Sequence, residues 1–271
     1  MIQDLVGSKD NMVKVQVGEH NFYLDGYLKA NLDTVKKDVK KDYDAFIIMA
    51  GREGFGKSTF AFQQAKYLDP TFNLDRVVFT ADQFVEAVDN AEQYQAIVFD
   101  ETMGYLSSRG SMSKFNRTLI KVMSEMRSKN LFIILCISNF FELDRYPAIH
   151  RSTGLIYIYK RASFGSYDYE KKKKLYLKGK KYYSYGVSPT FIGRCTKYKV
   201  LDWNKYEEKK QNAIAEWQKT KHKEEKSLNQ RNILIKHLID NELTSKSTIS
   251  KLIDLSCGQI ERIMAKWPAV L

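Results

Sequence analysis

The chain has 271 residues, 28% of them charged and 44% hydrophobic, with a formal net charge of +12. That length accommodates one full hydrophobic core and a smaller second domain, while the longest apolar run, Leu131 to Ile137, falls far short of the about 20 residues a membrane-spanning helix requires. Cys136, Cys195 and Cys257 lie far apart with no Cys-x-x-Cys pair, which argues for free thiols rather than a disulfide framework or zinc site, and a start mixing Asp4, Lys9 and Asp10 among apolar residues lacks the pattern of a secretory leader, so a cytoplasmic location is expected.

In chain order, Val13 to Val17 alternates, Gly18 to Asn21 can turn, and Phe22 to Leu24 continues extended, which predicts an opening hairpin. A lysine-rich helical stretch follows to Lys41. Apolar runs and helical patterns then alternate: a strand over Ala45 to Ala50, a helix over Lys57 to Tyr67, a strand over Arg76 to Thr80, a helix over Asp82 to Asn90 and a strand over Ala96 to Phe99. Phe115, Leu119, Val122, Met123 and Met126 recur at helical spacing, so Ser113 to Lys129 should be an amphipathic helix feeding a strand at Leu131 to Ser138, with another buried strand at Leu155 to Tyr159. This rhythm predicts an α/β fold with a mainly parallel sheet flanked by helices. From Phe164 the pattern becomes an alternation of Tyr and Lys broken by Gly165, Gly179 and Gly186, read as added β-hairpins. The expected organisation is a core domain over residues 1–202, including a basic hairpin region at 160–202, a charged helical connector at 203–226, and a small all-α domain at 227–271.

The octet Gly51-Arg52-Glu53-Gly54-Phe55-Gly56-Lys57-Ser58, followed by Thr59, stands between a predicted strand and a predicted helix. Such a Gly-x-x-x-x-Gly-Lys-Ser loop cradles nucleotide phosphates: its glycines allow close backbone approach, the helix N-terminus presents amides and a favourable dipole, Lys57 reaches the β- and γ-phosphates, and the Ser58 hydroxyl joins Mg²⁺. Further on, an apolar strand delivers the pair Asp100-Glu101 to the sheet edge. Asp100 is the candidate for the Mg²⁺ shell and Glu101 for orienting an attacking water, so ATP hydrolysis is favoured over phosphorylation of a metabolite. Ser138 and Asn139, ending the next strand, are candidates for sensing the γ-phosphate; a plain Ser-Asn turn is the alternative. Arg127, Arg145 and Arg151 are candidates for a positive charge supplied to a neighbouring subunit, or for ordinary surface ion pairs.

The positive charge is concentrated: between Leu155 and Lys205 there are 13 lysines and arginines against three acidic residues, with nine tyrosines interleaved. Lys171, Lys172, Lys173, Lys174, Lys178, Lys180 and Lys181 beside Tyr176, Tyr182 and Tyr183 suit a nucleic-acid backbone, a solvated surface being the alternative. Near the C-terminus, Ile249 to Met264 has helix-turn-helix spacing, with Ser256 able to cap the second helix, Asp254 in the turn, and an earlier helix over Leu228 to Asn241 completing a trihelical core. Gln259, Arg262 and Lys266 would then face a DNA major groove; contact with a protein partner is the alternative.

The glycine-rich loop, the acidic pair, the segment Met103-Gly104-Tyr105-Leu106-Ser107-Ser108-Arg109 after it, and Glu125 to Asn130 before the fourth core strand together resemble the FtsK/HerA superfamily of DNA-pumping P-loop ATPases. They are most similar to its branch of zonular occludens toxin-like phage proteins, and viral packaging ATPases share the same core. The resemblance covers about Ala45 to Tyr159. It implies a ring, usually a hexamer, with ATP between subunits and DNA in the pore, and it makes Arg127 the first choice for the trans-acting arginine. The superfamily usually ends the strand before Ser138-Asn139 in glutamine, and toxin-like relatives commonly carry a membrane span that this sequence lacks. The reading is an ATP-driven motor on double-stranded DNA from a virus, plasmid or mobile element. The alternatives are an ATP-switched DNA-binding regulator or replication initiator, and an ATPase whose C-terminal helices dock a partner such as a portal or relaxase.

Overall fold

Strands β3 (Ala45–Gly51) and β6 (Phe132–Ile137) are buried at every position, as uninterrupted apolar runs must be when both faces of a parallel sheet are covered. They form the centre of a seven-stranded sheet in a computed structural model, which describes residues 11–101 and 109–266. With β4 (Val77–Val78), β5 (Ala96–Asp100), β7 (Gly154–Lys160), β8 (Ser163–Tyr167) and β9 (Phe191–Arg194), the strand order is β4-β5-β6-β3-β7-β8-β9. The first five strands run parallel, β8 is antiparallel to β7, and β9 is antiparallel to β8 and so returns to the direction of the first five. Register decides what meets at the sheet edge. Cys136 is the partner of both Met49 and Asp100, so β3, β5 and β6 end level, and the residues just beyond them share one rim.

The helices follow from their caps and apolar faces. Asp25 accepts hydrogen bonds from the Tyr27 and Leu28 amides and starts α1 (Gly26–Val39), and the Thr80 side chain accepts from the Gln83 amide at the start of α3 (Ala81–Asn90). Between them, α2 (Lys57–Leu68) buries Phe60, Ala61, Phe62, Gln63, Gln64 and Ala65 against the sheet. In α4 (Arg109–Ser128) the five expected apolar positions, Phe115, Leu119, Val122, Met123 and Met126, are all buried. Asn130 takes a positive φ of 50° after it and donates its side-chain amide to Asp42 and to the Tyr43 carbonyl. The opening hairpin is present as β1 (Met12–Val17) and β2 (His20–Asp25).

Two expectations need correction. The lysine-rich stretch is not a hairpin: it forms a helix, α5 (Tyr169–Gly179), capped by Asp168 accepting from the Lys171 amide. Its buried positions, Lys172, Leu175, Tyr176 and Gly179, fall at i, i+3, i+4 and i+7, a helical face that the apparent Tyr/Lys alternation masked. Only the β7–β8 and β8–β9 pairings of that region are antiparallel strands. Nor are the connector and the next helix separate, because a single helix, α6 (Trp203–Asp240), contains both.

The chain divides into two compact units, Met1–Ile214 and Ala215–Leu271. The first extends beyond the expected boundary at residue 202 because Tyr206 and Ala213 belong to its core. In the second, the C-terminal part of α6 packs with α7 (Lys246–Ile253) and α8 (Cys257–Lys266) around Ile235, Ile249 and Ile260. Asp254 occupies the left-handed region at φ 51° between α7 and α8, and the Ser256 side chain accepts from the Gln259 amide. Among the described residues no helix is long and apolar enough to cross a membrane.

Candidate nucleotide site

Gly51 ends β3 at φ 149°, and a Cβ there would lie 2.5 Å from the Ile158 carbonyl oxygen on β7. Close strand pairing and backbone conformation therefore both demand glycine. Gly54 and Gly56 also have positive φ, 74° and 91°, with open space where a Cβ would project. The loop from Arg52 to Gly56 thus turns an unobstructed backbone toward solvent. Gly56 is the N-cap of α2 and its carbonyl accepts from the Phe60 amide, which leaves the amides of Lys57, Ser58 and Thr59 without partners inside the helix. Buried Lys57 folds back along the loop and donates to the carbonyls of Gly51 at 2.7 Å and Arg52 at 3.2 Å.

The level strand ends bring the acidic pair to the same place. A cavity of about 490 Å³ is lined by the loop from Glu53 to Thr59 together with Asp100, Glu101 and Ser138. Asp100 is buried. Glu101 is held by two main-chain bonds: its amide donates to the Cys136 carbonyl, and its carboxylate accepts from the Ser138 amide. Burial pushes the Glu101 carboxyl above the usual carboxylate range, opposed by the bonds from Ser138 and by the charge of Lys57. A carboxylate partly withdrawn from water and fixed at its end is suited to orienting a water molecule and taking its proton. Ser58 and Asp100 supply a hydroxyl and a carboxylate, hard oxygen donors of the kind Mg²⁺ takes when it shares its shell with phosphates. Open positive-φ glycines and unpartnered helix amides beside that donor pair fit a magnesium–nucleotide complex.

Other candidates are placed as follows. Asn139 accepts from the Phe141 amide and caps the short helical turn Phe140–Glu142, so its side-chain oxygen serves the turn. Arg151 pairs with Asp44 at 2.6 Å and donates to the Met123 carbonyl, which commits it to packing α4 against the sheet. Arg127 is exposed near the end of α4, and its guanidinium has no partner among the described residues. Most of the segment Met103 to Arg109 lies outside the described residues.

In the basic segment, Lys174, Lys178 and Lys181 are exposed and Lys171 and Lys173 half-buried. Lys172, however, is fully buried on the Ser152 carbonyl and hydroxyl, and Lys180 donates to the Leu143 carbonyl and the Tyr176 hydroxyl. Lys172 therefore leaves the set of phosphate-contact candidates. Gln259 and Arg262 are exposed on α8, which Lys266 closes; the Lys266 side chain lies outside the described residues.

The sequence reading missed the cavity's other wall. Arg161 and Ala162 from the β7–β8 turn, Cys195 to Lys197 and Lys199 after β9, and Trp203, Tyr206, Glu207 and Lys210 of α6 complete the lining. Gln63 on α2 anchors that strip by donating to the carbonyls of Thr196 and Tyr198. Tyr206 reaches deepest: its hydroxyl donates to Asp100 Oδ2 and also meets the Ser58 side chain. No local signal marks these residues, since Tyr206 and Lys210 stand in a charged helical stretch that looks like any connector. Compared with known proteins, the chain matches no family model and no curated protein.

Proposed function

We propose that the protein is a P-loop ATPase that hydrolyses ATP with Mg²⁺ and works as a motor on double-stranded DNA. The observation that carries the ATPase reading is the convergence of the 53–59 loop, Asp100 and Glu101 on one cavity at the level ends of β3, β5 and β6. In this reading the loop amides and Lys57 bind and orient the phosphates, Ser58 and Asp100 hold the metal, and Glu101 orients the attacking water and accepts its proton. Bound Mg²⁺ supplies neutralisation of charge on the β- and γ-phosphate oxygens.

The DNA reading is supported by the net charge of +12 and by the exposed lysines on and beside α5. The α7–α8 unit, with its left-handed turn at Asp254 and exposed Gln259 and Arg262, is assigned as a helix-turn-helix that recruits the ATPase to a site or partner. Arg127 is assigned to the ATP of an adjacent subunit in a homo-oligomeric ring, consistent with its exposed guanidinium, which has no partner among the described residues. The test is ATP turnover with and without duplex DNA, read beside the mass of the assembly. A motor gives DNA-stimulated turnover of many ATP per complex in a ring. A single slow turnover with stable DNA binding would replace the motor by an ATP-switched regulator.

A further inference from the structure

Two lysines, Lys57 on α2 and Lys210 on α6, line the nucleotide cavity, and they are used differently. Lys57 is turned onto main-chain carbonyls of its own loop. Lys210 brings its Nζ to 3.9 Å from Asp100 Oδ2 and donates to the Tyr206 hydroxyl at 3.3 Å, and that hydroxyl donates to the same carboxylate oxygen. Tyr206 and Lys210 are four residues apart, so one face of α6 presents both. The ring of Tyr206 is fixed by contacts with Phe62, Phe79 and Trp203, which makes it a rigid seat. Asp100 itself is 2% exposed, and a carboxylate that buried requires a compensating charge or hydrogen bonds. Tyr206 and Lys210 provide both from outside the two sequence motifs.

We propose that Lys210 is a resident cation for the metal-binding carboxylate: seated by Tyr206, it neutralises Asp100 while no metal is bound, and a divalent ion must displace it to take the carboxylate. The inference rests on the reading of this cavity as a nucleotide site. It follows from charge. An ammonium and a divalent cation repel strongly at a few ångströms in a partly buried site, so the two exclude each other at Asp100, while phosphates entering beside the 53–59 loop meet a carboxylate whose charge one or other of those cations has offset. Tyr206 acts here as a positioning residue.

Removing the Lys210 charge should therefore have opposite effects in two conditions. ATP binding measured calorimetrically in EDTA should weaken about tenfold in Lys210→Met, because the Asp100 charge then faces the phosphates unopposed, a loss on the scale of one charged interaction. The Mg²⁺ concentration needed to restore tight binding should instead fall, because the competitor is gone. Lys210→Arg should keep the wild-type pattern, and Tyr206→Phe, which preserves the ring packing, should shift both quantities in the Met direction by less. Lys210→Gln provides a second neutral variant should the Met variant fail to fold, with thermal melting as the check. Equal metal dependence in wild type and neutral variants overturns the inference, as does equal weakening in both conditions, which would make Lys210 a plain phosphate contact. If the wild type itself binds no ATP in the presence of Mg²⁺, the nucleotide reading fails and the inference falls with it.

Discussion

Lys172→Met should flatten the alkaline rise in the protein's stability. Lys172 is fully buried on α5, with its Nζ on the Ser152 carbonyl and hydroxyl. Asp168 and the Tyr169 ring, whose centroid is 5.7 Å from Nζ, lie close to it. Burial pulls its pKa from 10.5 down to about 7, against a smaller opposing pull from Asp168. Between those two values the unfolded chain carries a proton that the folded chain has released, so stability rises with pH across the window. The slope approaches about 1.4 kcal/mol per pH unit, and the gain from about pH 7 to pH 9 is about 2 kcal/mol. Lys36, Lys180 and Lys209 are also pulled down by burial, but they are common to wild type and variant and cancel in the comparison. Urea unfolding of both proteins at about pH 7, 8 and 9 yields the difference in stability as a function of pH. The Met variant should be favoured most at the lowest pH, its advantage shrinking by about 2 kcal/mol across the range. Parallel stability curves would refute the argument and mean that Lys172 keeps its proton in the folded protein.

Lys57→Ala should abolish ATP binding, whereas Glu101→Gln should bind ATP normally and lose turnover; undiminished steady-state hydrolysis by Glu101→Gln would remove Glu101 from its role. Gly51→Ala should fail to bind nucleotide and melt earlier than wild type, because the new methyl would meet the Ile158 carbonyl at 2.5 Å in a backbone conformation foreign to alanine; a melting curve beside a binding isotherm checks both. Neutralising Lys173, Lys174, Lys178 and Lys181 should flatten the salt dependence of duplex binding by up to about 3 to 4 units in the log–log slope. An unchanged slope there would move the DNA contact elsewhere. Arg127→Ala mixed with Glu101→Gln should regain some ATPase activity through interfaces that keep one intact copy of each residue, and no recovery despite proven subunit mixing would end the trans assignment.

The sequence spoke most clearly where function and fold are local. Apolar runs such as Phe132 to Ile137 are short enough to favour covered strands over buried helices, and the octet ending in Ser58 specifies its turn through the glycines it contains. The left-handed turn at Asp254 and the Ser256 cap were legible for the same reason: each is decided within four residues. Errors arose where a second periodicity or a distant contact decided the outcome. Alternating Tyr and Lys suggested strands, but Leu175, Tyr176 and Gly179 together with Lys172 form a helical face, and a buried lysine in that face looks in one dimension like one more solvent charge. The Tyr206 contact to Asp100 spans 106 positions, and nothing near either residue announces it. Sheet register brings Asp100 to the rim, α2 carries Gln63 to the strip after β9, and the first turns of α6 then lie over the acidic pair. A motif thus names the residues that touch a ligand from one side, while the groups that close the site from the other side depend on how the rest of the chain returns to it, which is why the cation beside Asp100 was invisible until the fold placed it there.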